Sequence, residues 1–200
     1  MPGSTDAKEY MFVAYGIYRN NDRQDNDCQV LLCFDPETFN PMPFDQNAPH
    51  TERPALYKKL FVYTGNTQYG VQNLEYDRDT GDLWMIVYQG QKEQFPNNPI
   101  YLVDGNVPVR EETLPVYGTN YEEGLSGDML TLRANAGILH KESGIWSIPV
   151  MPRVADTGFI SIGNDLFYVA QSGKMNGKQY GYAILMHLDR ESWKFSDIKQ

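Results

Sequence analysis

Basic side chains are scarce in this chain: 17 lysines and arginines stand against 26 aspartates and glutamates, a net charge of −9. A nucleic-acid binder needs a basic face to displace counterions from phosphate. The only basic doublet is Lys58-Lys59, which reads as a solvated strand start. The same shortage disfavours anionic membrane surfaces, and no apolar run approaches the ~18 residues of a transmembrane helix. Neither nucleic acid nor membrane is therefore an expected partner. Residues Met1–Ala7 have neither the charged region nor the apolar stretch of a signal peptide.

Cysteine is nearly absent, with Cys28 and Cys33 lying five positions apart. An odd separation puts them on opposite faces of a strand, where they do not bond to each other. Two free thiols suit a reducing compartment, so a cytoplasmic location is expected, although a mature secreted chain reads the same way. The three histidines, His50, His140 and His187, fall in separate segments. No His-x-x-x-His, Cys-x-x-Cys or Gly-x-Ser-x-Gly occurs, so common zinc and serine-hydrolase signatures are missing. Gly177-Lys178 lacks the upstream glycine of a phosphate loop. His187, inside an apolar run, is expected to be a satisfied structural histidine.

Aromatic residues are plentiful, with 14 Tyr, 9 Phe and 3 Trp. Such residues fit a pleated, half-buried surface and favour strands. Three segments share one layout. Tyr10–Gly16 leads through a polar loop to Val30–Asp35; Leu83–Gly90 leads to Ile100–Asp104; Leu166–Gly173 leads through Lys174–Gln179 to Ala183–Asp189. Each apolar run is five to seven residues long and ends in Gly or Asp, the pattern of a buried strand. Phe34-Asp-Pro-Glu-Thr-Phe39 matches Leu188-Asp-Arg-Glu-Ser-Trp193 in residue type at all but one position, an Asp-initiated turn. A lead-in strand precedes two copies, Gly70–Tyr76 before Leu83 and Gly158–Ile162 before Leu166, whereas none precedes Tyr10.

Four-stranded antiparallel units in tandem resemble the blades of the β-propeller superfamily, and the turn Tyr76-Asp-Arg-Asp-Thr-Gly-Asp-Leu-Trp84 is similar to turns common there. The expected fold is thus all-β and propeller-like with an incomplete ring, with a β-sandwich as the alternative. Residues 1–8 are expected to be a flexible N-terminus. Residues 9–200 form one repeat domain, with units at about 9–56, 57–124 and 158–200 and an insertion or degenerate unit at about 125–157. Three units are too few for a ring, since propellers have about four or more blades. Either the chain is a piece of a longer protein, or it self-associates, or the middle stretch supplies the missing blade.

The resemblance places the lead-in strands along a central channel, with the preceding loop at its mouth. The stretch Tyr63–Tyr76 packs amides, hydroxyls and aromatics there, and Asn66, Gln72, Asn73 and Glu75 are the candidate ligand-binding residues. Alternation sets Gln72, Leu74 and Tyr76 on one face and Val71, Asn73 and Glu75 on the other. The competing reading is that Gln72 and Asn73 satisfy neighbouring backbone. Tyr69, Phe95, Tyr117 and Tyr121 are candidates for stacking on sugar rings. Asp22, Asp25 and Asp27 in one loop, and Asp77, Asp79 and Asp82 in another, are the hard oxygen ligands calcium takes. Turn capping accounts for them better, and no cofactor is expected. The function expected is a module binding a small molecule, a carbohydrate or a protein, the last including self-association. The alternative is a hydrolase or carbohydrate-active propeller enzyme with its site at the channel mouth and Glu75 as the nearest base.

Overall fold

A computed structural model of the chain describes residues 1–4, 8–15, 27–39, 55–65, 68–114, 126–149 and 158–198. In chain order the strands are β1 (Met11–Tyr15), β2 (Cys28–Phe34), β3 (Leu56–Tyr63), β4 (Val71–Tyr76), β5 (Leu83–Val87), β6 (Ile100–Val103) and β7 (Arg110–Thr113). They continue with β8 (Ser126–Leu130), β9 (Ile138–His140), β10 (Ile145–Ser147), β11 (Gly158–Gly163), β12 (Leu166–Met175), β13 (Lys178–Asp189) and β14 (Lys194–Asp197). A 3-10 turn at Pro36–Thr38 is the only helical piece among the described residues, and no helix is long and apolar enough to cross a membrane. The fold is all-β, and none of the sheets formed by the described residues closes on itself.

A first sheet runs in the order β1-β2-β3-β8-β7, a middle sheet β4-β5-β6, and a last sheet β11-β12-β13-β14, with β9 and β10 forming a separate hairpin. Neighbours are antiparallel except β3 and β8, which run parallel. The last sheet has the expected four up-and-down strands. The first sheet is larger, because β3 and β8 both join it. The stretch at 125–157 is accordingly divided: β8 extends the first sheet, whereas bridges from Leu132 to Val103 and from Ile148 to Ile100 border the free edge of β6.

The three sheets stack with the middle one sandwiched. Leu83, Met85 and Val87 of β5, with Tyr101 and Val103 of β6, pack against Leu31, Cys33, Leu60 and Val62 of the first sheet. The alternate residues Trp84 and Ile86, with Ile100 and Leu102, pack against Phe159, Phe167, Val169, Met186 and Leu188 of the last sheet. Burial on both faces explains why β5 and β6 read as unbroken apolar runs, since period-two alternation needs a wet face. Cys33 points into the first of these cores and Cys28 is half-buried, and both thiols are free. Burial pushes the Cys28 thiol up to about 12, so it stays protonated at neutral pH.

Two segments of the last sheet depart from the sequence pattern. Lys174–Gln179 is no loop: β12 and β13 run on to the pair Met175–Lys178, closed by Asn176-Gly177 with φ of 52° and 76°. Asn-Gly with both residues left-handed is the two-residue turn that matches strand twist, so the ladder continues to its tip. His187, inside the apolar run, is exposed on β13, since only alternate residues of that strand face the core.

The turn residues also join the sheets. Arg190, after β13, donates to Asp77 Oδ2 at 2.8 Å and to Asp165 Oδ1, linking the β4–β5 turn with the β11–β12 turn. Burial pushes the Asp77 carboxyl up, but Arg190, the Trp84 indole and the Asp79 amide outweigh it and hold it below the usual carboxylate range. Arg190→Ala is expected to cost about 3 kcal/mol at neutral pH, because Asp77 is buried and loses its cation. Asp77 stabilises the fold when ionised, above its unfolded value of 3.8, and that contribution is lost as pH falls through the lowered folded value. The difference between wild type and variant in urea unfolding is therefore expected to be largest at pH 7 and to shrink below pH 4. A difference independent of pH would contradict this role.

Candidate functional site

Strand β4 lies between β1 of the first sheet and β11 of the last, so the edge strands that come first in sequence in the three sheets are neighbours. Its course departs from simple alternation. Val71 pairs with Val87 and Asn73 with Ile86, which leaves Gln72 as an extra residue in a β-bulge. The bulge lets Val71 and Leu74 both pack on the first core, although their spacing is odd. Val71 therefore does not share a face with Asn73 and Glu75, and Gln72 is exposed. An amide disfavoured in a strand interior is accommodated where pairing is interrupted.

Glu75 turns towards the last sheet and accepts the Ser161 amide at 3.0 Å, tying β4 to β11. Burial raises its carboxyl, an effect the Ser161 N–H opposes. Beyond β4, the turn is fastened by its own carboxylates. Asp77 accepts the Asp79 amide, Asp79 accepts the Asn164 amide of the next turn at 2.6 Å, and Asp82 accepts the Gly105 amide and Arg133. A Cβ on Gly105 would stand 1.7 Å from the Gly81 carbonyl oxygen, so this close approach requires glycine.

On the opposite side of β4, a cleft of about 800 Å³ opens between β4 and β1. Tyr10 and Phe12 form one wall, Leu74 and Tyr76 the other, and Lys8, Glu9 and Arg78 bring charge of both signs to it. Lys8 is held by Asp35 at 2.7 Å and Glu37 at 3.0 Å, so its amine is oriented rather than free. Those hydrogen bonds raise the Lys8 ammonium well above its usual range, and Lys8 holds Asp35 below the carboxylate range. Tyr76 is 55% exposed, which leaves its ring available for a stacking ligand.

Comparison of the chain with protein-family models, with curated proteins and with solved structures finds no match.

Of the candidate residues, Gln72, Asn73 and Glu75 share β4 but do not line the cleft, and Asn66 lies outside the described residues. Among the aromatic candidates, Phe95 is buried in the first core and meets the Tyr63 ring edge-on at 6.1 Å. Tyr69 is half-buried with its ring edge-on to Tyr88, and Tyr117 and Tyr121 lie outside the described residues. Asp27 pairs with Lys92, while Asp22 and Asp25 are not described. No group of three or more His, Cys, Asp or Glu side chains among the described residues is placed to hold a metal ion. The cleft residues missed by sequence reasoning, Tyr76 and Arg78, lie within the turn that carries the propeller resemblance. Lys8 and Tyr10 reach the cleft only through tertiary packing.

Proposed function

We propose that the chain is a binding module of β-propeller-like architecture whose ligand site is the cleft between β1 and β4. The observation that carries this reading is the cleft itself. Its volume of about 800 Å³ falls in the range of small-molecule sites, roughly 300–1,000 Å³. Aromatic walls with a guanidinium at the rim suit a polar small molecule or a carbohydrate, whose ring faces stack while its oxygens take hydrogen bonds. The side-by-side first strands of three stacked sheets support the propeller-like reading, in which such edges surround a channel.

A hydrolase would rest on Glu75. That carboxylate accepts the Ser161 amide and faces the last sheet, away from the cleft, so binding without turnover is better supported. Titration against a panel of glycans and small metabolites, read by NMR chemical shifts, tests the proposal. A ligand is expected to move the Tyr76 and Arg78 resonances. Tyr76→Ala with Arg78→Ala is expected to weaken it at least about tenfold, or ~1.4 kcal/mol, whereas Gln72→Ala leaves it unchanged. Loss of binding on Gln72→Ala with Tyr76→Ala silent would move the site to the bulge and overturn this assignment.

A further inference from the structure

Among the described residues, the middle sheet is covered on both faces and the two end sheets on one face each. On the outer face of the first sheet, Met11, Val13 and Tyr15 are 38%, 41% and 57% exposed, and their cross-strand neighbours are Phe34, Leu32 and Val30. On the outer face of the last sheet, Ile160, Ile162 and Tyr168 are 50%, 47% and 44% exposed, and Tyr168 stands between Ile160 and Leu185. These are contiguous apolar faces rather than scattered surface residues, and such faces mark interaction sites. The Val13–Leu32 row ends at Lys59 of β3, whose amine lies 4.9 Å from the Phe61 ring centre, so the apolar part of this face is that of β1 and β2.

We propose that the outer face of the first sheet docks on the outer face of the last sheet of a second copy of this chain, two such joints closing around a twofold axis. The inference rests on the propeller-like reading above. The two faces lie at opposite ends of the stack with the middle sheet between them, so one copy does not bury its own pair. The internal joints show the same chemistry, aliphatic and aromatic side chains of one sheet on those of the next. Sheet number agrees as well: the three larger sheets of the described residues fall short of a ring, and two copies supply six, within the four to eight of propellers.

Area agrees too. An aromatic side chain buries about 150–250 Å² when fully covered and an aliphatic one less, so these half-exposed ones contribute about 80 Å² each on average. Six per joint give about 500 Å², and two joints about 1,000 Å², the threshold for a specific interface. Each joint is heterologous, yet the twofold axis closes the pair and leaves no face to propagate a filament.

Sedimentation of the 200-residue chain tests the proposal. The expected species has twice the monomer mass of 22.9 kDa. Val13→Lys and Tyr168→Glu, each at an exposed position, are expected to give monomers with unchanged circular dichroism. Mixing the two variants is expected to restore the dimer, because one joint then sets lysine against glutamate and the other is wild type on both sides. A monomeric wild type, a dimer indifferent to both substitutions, or a mixture that stays monomeric would overturn the docking. Species growing beyond the dimer would overturn the twofold closure. Each of these failures leaves the cleft reading standing, since that reading is decided by ligand titration whatever the assembly state.

Discussion

Lys92→Met is expected to lower the unfolding free energy by about 3–5 kcal/mol, the cost of stripping the cation from a buried carboxylate. Lys92 lies in the loop between β5 and β6, and its amine meets Asp27 Oδ1 at 2.9 Å with both side chains almost wholly buried. The pair joins the middle sheet to the first, because Asp27 directly precedes β2 and its carbonyl accepts the Thr64 and Gly65 amides after β3. The Lys92 carbonyl in turn accepts the Phe95 amide and the Asn97 side chain, which fixes the loop that delivers the amine. Lys92 Nζ also stands 5.9 Å from the Phe95 ring centre. A double-mutant cycle separates the pair from general loop damage: Asp27→Asn in the Lys92→Met background is expected to restore stability, since a neutral amide tolerates the lost cation. A Lys92→Met cost below about 1 kcal/mol would put the pair in the class of solvent-screened surface bridges.

The sequence made the strands legible but not this pair. Leu83–Val87 and Ile100–Val103 carry their assignment in composition, and their lack of alternation follows from burial on both faces. Lys92 and Asp27 sit in polar stretches that read as solvated loops, and only the fold-back of those loops onto the sheets buries them. The end strands show the converse limit. Met11–Tyr15 is as apolar as β5, yet every second residue is exposed, because nothing within the described residues covers its outer face. The parallel pairing of β3 with β8 joins residues about 68 positions apart, and no local signal announces such a partner.

The candidate site was legible only as a neighbourhood. Clustered amides drew attention to β4, and β4 does form one wall of the cleft. Alternation then misassigned the faces, because one extra residue at Gln72 shifts every residue before it by one position. The cleft's other wall comes from β1, some 60 residues earlier, so convergence at the site is a product of sheet stacking rather than of motif. The carboxylates of the Asp77–Asp82 turn, which invite a metal by their spacing, are engaged by Trp84, Arg190, Arg133 and backbone amides.

Trp84→Ala is expected to cost about 3–5 kcal/mol, the range for removing a large buried aromatic, against a total stability of about 5–15 kcal/mol. The side chain is fully buried at the joint between the middle and last sheets. Its ring lies 5.2 Å from Phe167, 5.6 Å from Phe159 and 6.0 Å from Phe195, in tilted or edge-on arrangements that favour aromatic pairs. The indole N–H donates to Asp77 Oδ2 at 3.3 Å, the oxygen that also receives Arg190. Truncation therefore opens a cavity in the second core and removes one of the donors that keep Asp77 ionised. Trp84→Phe separates the two effects: it retains most of the apolar contact and loses the donor, for an expected cost of about 2 kcal/mol. If the donor matters, the Trp84→Phe deficit shrinks as pH falls below the unfolded carboxylate value of 3.8, since protonated Asp77 no longer needs it. A Trp84→Phe variant as stable as wild type at pH 7 would show that packing alone holds this joint, and a Trp84→Ala cost under about 1.5 kcal/mol would mean that the last sheet contributes little to the cooperative core.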